Sequence, residues 1–153
     1  MKIVIFGISN KAVERKYRIF AGNVLKKANK KVSQSTKTLN IIIVNDDYIH
    51  KLNKQFLKRD RPTDVLSFPI NPAPISKNVL PNPNSTNDNF TIHKNRGGVN
   101  DELLGEIYIS KDRVKIQAQE QKINQNEEIC NLIEHGILHL LGLSHEKMRK
   151  LKR

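Results

Sequence analysis

Residues 124–145 read NQNEEICNLIEHGILHLLGLSH, and this stretch settles how the chain finishes and what it can hold there. Asn124 followed three residues later by Glu127 resembles a capping box, the signature of a helix start. The helix is expected to run to Leu141, with Gly142 at the left-handed position that closes a helix C-terminus. His135 and His139 are four residues apart, so both imidazoles leave the same helix face. Gly142 takes positive φ at little steric cost, so the chain can turn there and carry His145 back to the same point. Three imidazoles with a fourth position open describe a catalytic zinc site rather than a closed structural one. Ordinary surface histidines are the bland alternative. Against it, three of the chain's five histidines fall within residues 135–145, with a glycine at the turn. His50 and His93 lack such company and read as surface residues.

The spacing is that of the metzincin peptidases, H-E-x-x-H-x-x-G-x-x-H. The glutamate that would activate water in a peptidase is Gly136 here, so that chemistry loses its general base. Glu134 adjoins His135 but stands about 100° around the helix from it and does not replace the missing group by position. Cys130 lies more than a turn earlier in an apolar neighbourhood. It reads as a small core residue rather than a fourth ligand. Three imidazoles suit zinc, although nickel and copper accept them too.

Working upstream, Leu104–Ser110 alternate as a strand, and Ser110 can cap a helix reaching about Gln121. Residues 71–102 are rich in asparagine, carry Pro72, Pro74, Pro81 and Pro83, and hold little that could fill a core. They read as a flexible surface insertion rather than a linker. Val65–Ile70 is a further strand. Asn45 and Asp46 are placed to cap a helix over about Asp47–Leu57, preceded by the β-branched run Leu39–Val44, a buried strand. Residues 31–38 read as a polar loop. Residues 11–29 show an apolar face at Val13, Tyr17, Phe20, Val24 and Ala28, opposite a crowd of Lys and Arg. Ile3–Phe6 form a first strand closed by Gly7.

The whole chain, 153 residues, fits one domain. Twenty-seven Lys and Arg against fifteen Asp and Glu give a formal charge of +12. That charge attracts polyanions without choosing among them. A single cysteine excludes an internal disulfide and a thiolate metal cluster. The apolar run near the N-terminus is too short for a signal or a membrane span, which points to the cytosol.

HGILHLLGLSH at 135–145 resembles the YbeY family signature H-G-x-L-H-L-x-G-x-D-H. LNKQFLKRDRPTDVLSFP, residues 52–69, is similar to that family's PTDVLSFP segment, and LGEIYIS, residues 104–110, to its LG(D/E)I.IS strand. The three occur in the family's order. The resemblance implies a single α+β domain, 1–153, with a mixed sheet of about four strands flanked by helices. It implies one zinc ion on His135, His139 and His145, at the C-terminal helix and following turn. It also implies a single-strand-specific endoribonuclease, linked to maturation of small-subunit ribosomal RNA and to ribosome quality control. Two positions depart from the family. Leu57 stands where an arginine follows the aromatic of the LN segment, and Ser144 stands where an aspartate precedes the third histidine.

On this reading a metal ion would assist phosphodiester hydrolysis, and Lys58, Arg59 and Arg61 would hold the RNA backbone. Their alternative is a solvated helix end. Asp64 has two readings, a carboxylate orienting a histidine and the cap of a turn. No residue is identified as the general base. Two rival functions stay open: a zinc hydrolase of another substrate class, and a ribosome-assembly factor with a structural zinc.

Overall fold

The computed structural model describes residues 1–69 and 103–143. The expected insertion at 71–102, His93, Ser144 and His145 lie outside them. In chain order the elements are β1 (Lys2–Phe6), α1 (Lys11–Ala28), α2 (Lys30–Ser33), β2 (Thr38–Val44), α3 (Asp46–Leu57), β3 (Val65–Pro69), β4 (Leu103–Ser110), α4 (Lys111–Gln121) and α5 (Gln125–Leu140). The sheet order is β1-β2-β4-β3. β1, β2 and β4 are parallel, and β3 runs antiparallel along β4 with Ser67 opposite Ile107. The expected α+β class and four-stranded mixed sheet are therefore present among the described residues. None of their helices is long and apolar enough to cross a membrane.

Side chains alternate across a strand, and here both faces are covered. Ile5, Leu39, Ile41, Ile43, Ile107 and Ile109 meet α1, α4 and α5 through Tyr17, Leu25, Val114, Ile133 and Ile137. On the other face Ile42, Val44, Leu66 and Tyr108 meet Ile49 and Leu52 of α3. Burial on both sides explains why residues 39–44 read as a nearly unbroken apolar run instead of an alternating one.

The helix ends follow the sequence closely. Asn10, Asn45, Ser110 and Asn124 each accept backbone N–H groups of the turn they open, through side-chain oxygens. α1 departs from expectation. The row fully packed inward is Tyr17, Ala21 and Leu25, while Val13, Phe20 and Val24 are only partly covered. The small Ala21 allows close approach, which a stripe chosen by side-chain size misses. The Tyr17 hydroxyl, 2.5 Å from Asn126 Oδ1, ties α1 to the first turn of α5. Residues 31–38 are not all loop: α2 occupies Lys30–Ser33, capped by Asn29, and β2 begins at Thr38.

α5 lies unusually deep on the sheet, through two complementary contacts. A Cβ built on Gly136 would sit 2.7 Å from Ile107 Cγ2 and 3.2 Å from Ser67 Oγ. One turn on, Leu140 presses onto Gly105 of β4, where a Cβ would also lie 2.7 Å from the Phe68 carbonyl oxygen. Each element supplies one bulky side chain and one glycine to receive its partner's.

Gly136→Ala tests this packing. Overpacking costs about 1–3 kcal/mol, against a helix-propensity gain of about 1 kcal/mol. The expected net is a loss of up to about 2 kcal/mol in urea unfolding. A gain in stability, the ordinary result for a helical glycine with open space beside it, would contradict the contact.

Candidate metal centre

α5 ends in the hydrogen-bond pattern expected of a glycine-terminated helix. Gly142, at φ +66°, donates its N–H to His139 O (2.9 Å), and Leu143 donates to Leu138 O (3.0 Å). Just before this stop His135 is partly buried and His139 is exposed. Their rings lie 4.5 Å apart at 72°, with the two Nε2 atoms 3.0 Å from one another. Zinc–nitrogen bonds of about 2.0–2.1 Å in a tetrahedron put neighbouring ligand nitrogens about 3.3 Å apart. The observed spacing is close to two corners of one coordination sphere, so the donor chemistry and the convergence fit a divalent cation. The third expected ligand, His145, lies outside the described residues. Among the described residues no group of three or more His, Cys, Asp or Glu is arranged to hold a metal.

The packing also explains the residue that separates this helix from a peptidase. Position 136 is pressed against Ile107, and its carbonyl accepts a hydrogen bond from Ser67 Oγ at 3.1 Å. A side chain there would have to push the Ile107 side chain aside, so the depth of α5 disfavours a glutamate at this position. Ser67 was not singled out from the sequence as a site residue. Its only signal was its place in the PTDVLSFP run.

The basic segment follows α3 directly. Lys58 closes the helix in the left-handed conformation, and Asn53, 2% exposed, donates from Nδ2 to Arg61 O at 2.7 Å. Asp60, the one acid of residues 58–61, pairs with Lys54 (3.0 Å) and His50 (2.7 Å), and these hydrogen bonds, Lys54's foremost, hold its carboxyl below the usual range. Arg59 and Arg61 are exposed, and among the described residues their side chains carry no ion pair. Phe56 packs edge-on against Phe68 with ring centroids 5.3 Å apart, while Leu140 reaches Gly105 beside Phe68 and Pro69 on the other face. The C-terminal ends of α3 and α5 thus flank the same end of β3. No described contact joins Lys58, Arg59 or Arg61 to the histidines.

Asp64 holds the start of β3 to α4. Its Oδ1 accepts from Val65 N (2.8 Å) and Thr63 Oγ1 (3.2 Å), and its Oδ2 from Gln117 Nε2 (3.2 Å). Leu57 is 47% exposed at the end of α3. Cys130 packs against the core beneath α5, and burial raises its thiol above the usual range.

A protein-family model described as Endoribonuclease YbeY matches residues 6–153. Curated proteins named Endoribonuclease YbeY are similar to this chain. One from Aliarcobacter butzleri is 39% identical over 112 residues, 73% of this chain and 63% of that protein. Another from Aquifex aeolicus is 38% identical over 109 residues, 71% of this chain and 57% of that protein. The matched part therefore spans less than two thirds of these relatives' length. The solution structure of a Thermotoga maritima protein superposes with TM-score 0.53 at 26% identity, covering 98% of this chain and 84% of that one.

The environment of Cys130 yields a direct check. A raised thiol pKa leaves less thiolate at a given pH, so labelling of the folded protein at pH 8 is expected to be slower than that of a cysteine peptide. Its rate should keep climbing at pH values where the peptide has levelled off. Urea should remove the difference. Labelling as fast as the peptide's in the folded state would contradict the burial.

Proposed function

The chain belongs to the YbeY endoribonuclease family, and from that premise we propose that it is a metal-dependent endoribonuclease cutting single-stranded RNA. One zinc ion is held by His135, His139 and His145. The observation that carries the reading is the convergence of the His135 and His139 Nε2 atoms at 3.0 Å, ahead of a helix stop at Gly142. When bound, such an ion supplies Lewis-acid activation for phosphodiester cleavage.

The remaining roles belong to side chains. The C-terminal end of a helix carries partial negative charge, so α5 favours a cation beside its last turn. Gly136 and Ser67 fix the depth and rotation of that turn, and with it the direction of both imidazoles. Arg59 and Arg61 bind the RNA backbone through phosphate contacts, which the +12 charge reinforces at longer range. Lys58 adds a point charge where the fork of a guanidinium is missing at Leu57. The substrate is ribosomal RNA during maturation and quality control of the small subunit, encountered in the cytoplasm.

The test pairs metal analysis with cleavage. Wild type should bind about one zinc per chain and cut single-stranded RNA. The double variant His135→Ala, His139→Ala, purified in parallel, should do neither, and a chelator should silence the wild type. Zinc binding without cleavage would replace the nuclease by an assembly factor with a structural metal. Equal cleavage by wild type and variant would reject the site.

A further inference from the structure

A second cleft lies at the opposite end of the sheet from the histidines. β1 hands the chain to α1 on the face shared with α5, whereas its parallel neighbour β2 hands the chain to α3 on the other face. Adjacent parallel strands whose connections leave on opposite sides open a crevice beyond their C-terminal ends, the position where open α/β sheets bind ligands. The crevice here has a volume of about 310 Å³, and Phe6, Gly7, Val44, Asn45, Tyr48 and Lys111 are among its walls. Strand rise and spacing place it on the order of 20 Å from Ser67 and the α5 contact.

The lining selects the ligand. A phosphate site would need free N–H groups at the helix starts, yet Asp46 N is bonded to Asp112 Oδ2 (2.9 Å) and Tyr48 N to Asn45 Oδ1 (2.9 Å). Asp46 and Asp47 also bring negative charge to the first turn of α3. What the cleft offers instead is two aromatic rings, Phe6 and Tyr48, in an otherwise largely polar lining. Phe6 is 42% exposed, on a strand end where a large apolar side chain has no folding role that needs it outside. Tyr48 is stacked on Tyr108 (6.1 Å, 26°), which in turn meets Phe68 edge-on (5.9 Å). The ring is therefore backed by a rigid aromatic row. Burial, with Glu106 alongside, raises both phenols above their ordinary range and keeps them neutral. Lys111 supplies a cation at the rim. Aromatic faces beside a cation, on a chain of net charge +12, match an unpaired nucleobase with its phosphate outside the cleft.

We propose that this cleft is a second RNA-contact site, which takes a single-stranded base between Phe6 and Tyr48 while Lys111 meets the adjoining phosphate. The proposal rests on the RNA reading of the preceding subsection. It adds a site remote from the metal that would hold a longer strand on the protein while another part of it reaches the histidines.

The test measures binding, not cleavage. Fluorescence anisotropy with a labelled single strand of about twelve nucleotides should show Phe6→Ala weakening affinity roughly tenfold. Phe6→Tyr, which keeps a ring, should restore it. Ile19→Ala, at a 56% exposed apolar residue on α1, should change nothing. Photo-crosslinking of wild type with 4-thiouridine RNA should mark Phe6 or Tyr48, and this arm decides the matter if Phe6→Ala fails to fold. Unchanged affinity of a folded Phe6→Ala protein would overturn the proposal and leave a protein partner as the next occupant. Crosslinks confined to residues 58–61 and 125–143 would overturn it too. Neither readout depends on bound metal, so loss of the nuclease reading alone would leave binding at Phe6 intact.

Discussion

The interlock between α5 and the sheet governs the rest of the arrangement. Ile107 enters the space left by Gly136, and Leu140 enters the space left by Gly105. The two glycines are on different elements: Gly136 stands one helical turn before Leu140 on α5, and Gly105 two residues before Ile107 on β4. Together they fix both the height of α5 and its rotation. Slipping the helix by one residue would drive a side chain into Ile107. Close-packed interiors resist such shifts, since even a methylene-sized change is felt. The Ser67 hydroxyl, bonded to the Gly136 carbonyl, adds a polar contact at the same place.

Rotation of α5 is what the histidines inherit. With Gly136 and Leu140 turned to the sheet, His135 and His139 lie about 100° away on the helix surface. Their nitrogens meet near the negative end of the helix, and the glycine stop keeps that end short. The same constraint removes the carboxylate that a peptidase of this spacing would use. The direction of the two imidazoles and the missing carboxylate thus follow from one packing contact.

Much of this was legible in the chain. Asn45, Ser110 and Asn124 announced helix starts because a side-chain oxygen at that position satisfies an otherwise orphaned N–H, and Gly142 announced a stop. The β-branched run 39–44 marked a buried strand. The pairing order was not legible from periodicity, since alternation fixes which face a residue takes but not which strand lies beside it. The true α1 row hid behind Ala21, whose small size is its function. The contact of Asp64 with Gln117, fifty-three residues away, was not legible either, since no local pattern links the two. Gly136 was noticed for the chemistry it lacks, while the reason for it lay in Ile107 on another element. The cleft at Phe6 and Tyr48 arises only because successive connections leave opposite faces, a property of topology that no local pattern carries.

The proposed metal centre joins His135, His139 and His145 to one ion. Zinc-edge X-ray absorption on the reconstituted protein tests it most directly. The expected spectrum shows a four-coordinate metal at about 2.0–2.1 Å, with outer-shell scattering from three imidazoles and a light atom in the fourth position. Fewer than three imidazoles, or a sulfur contribution from Cys130, would contradict it.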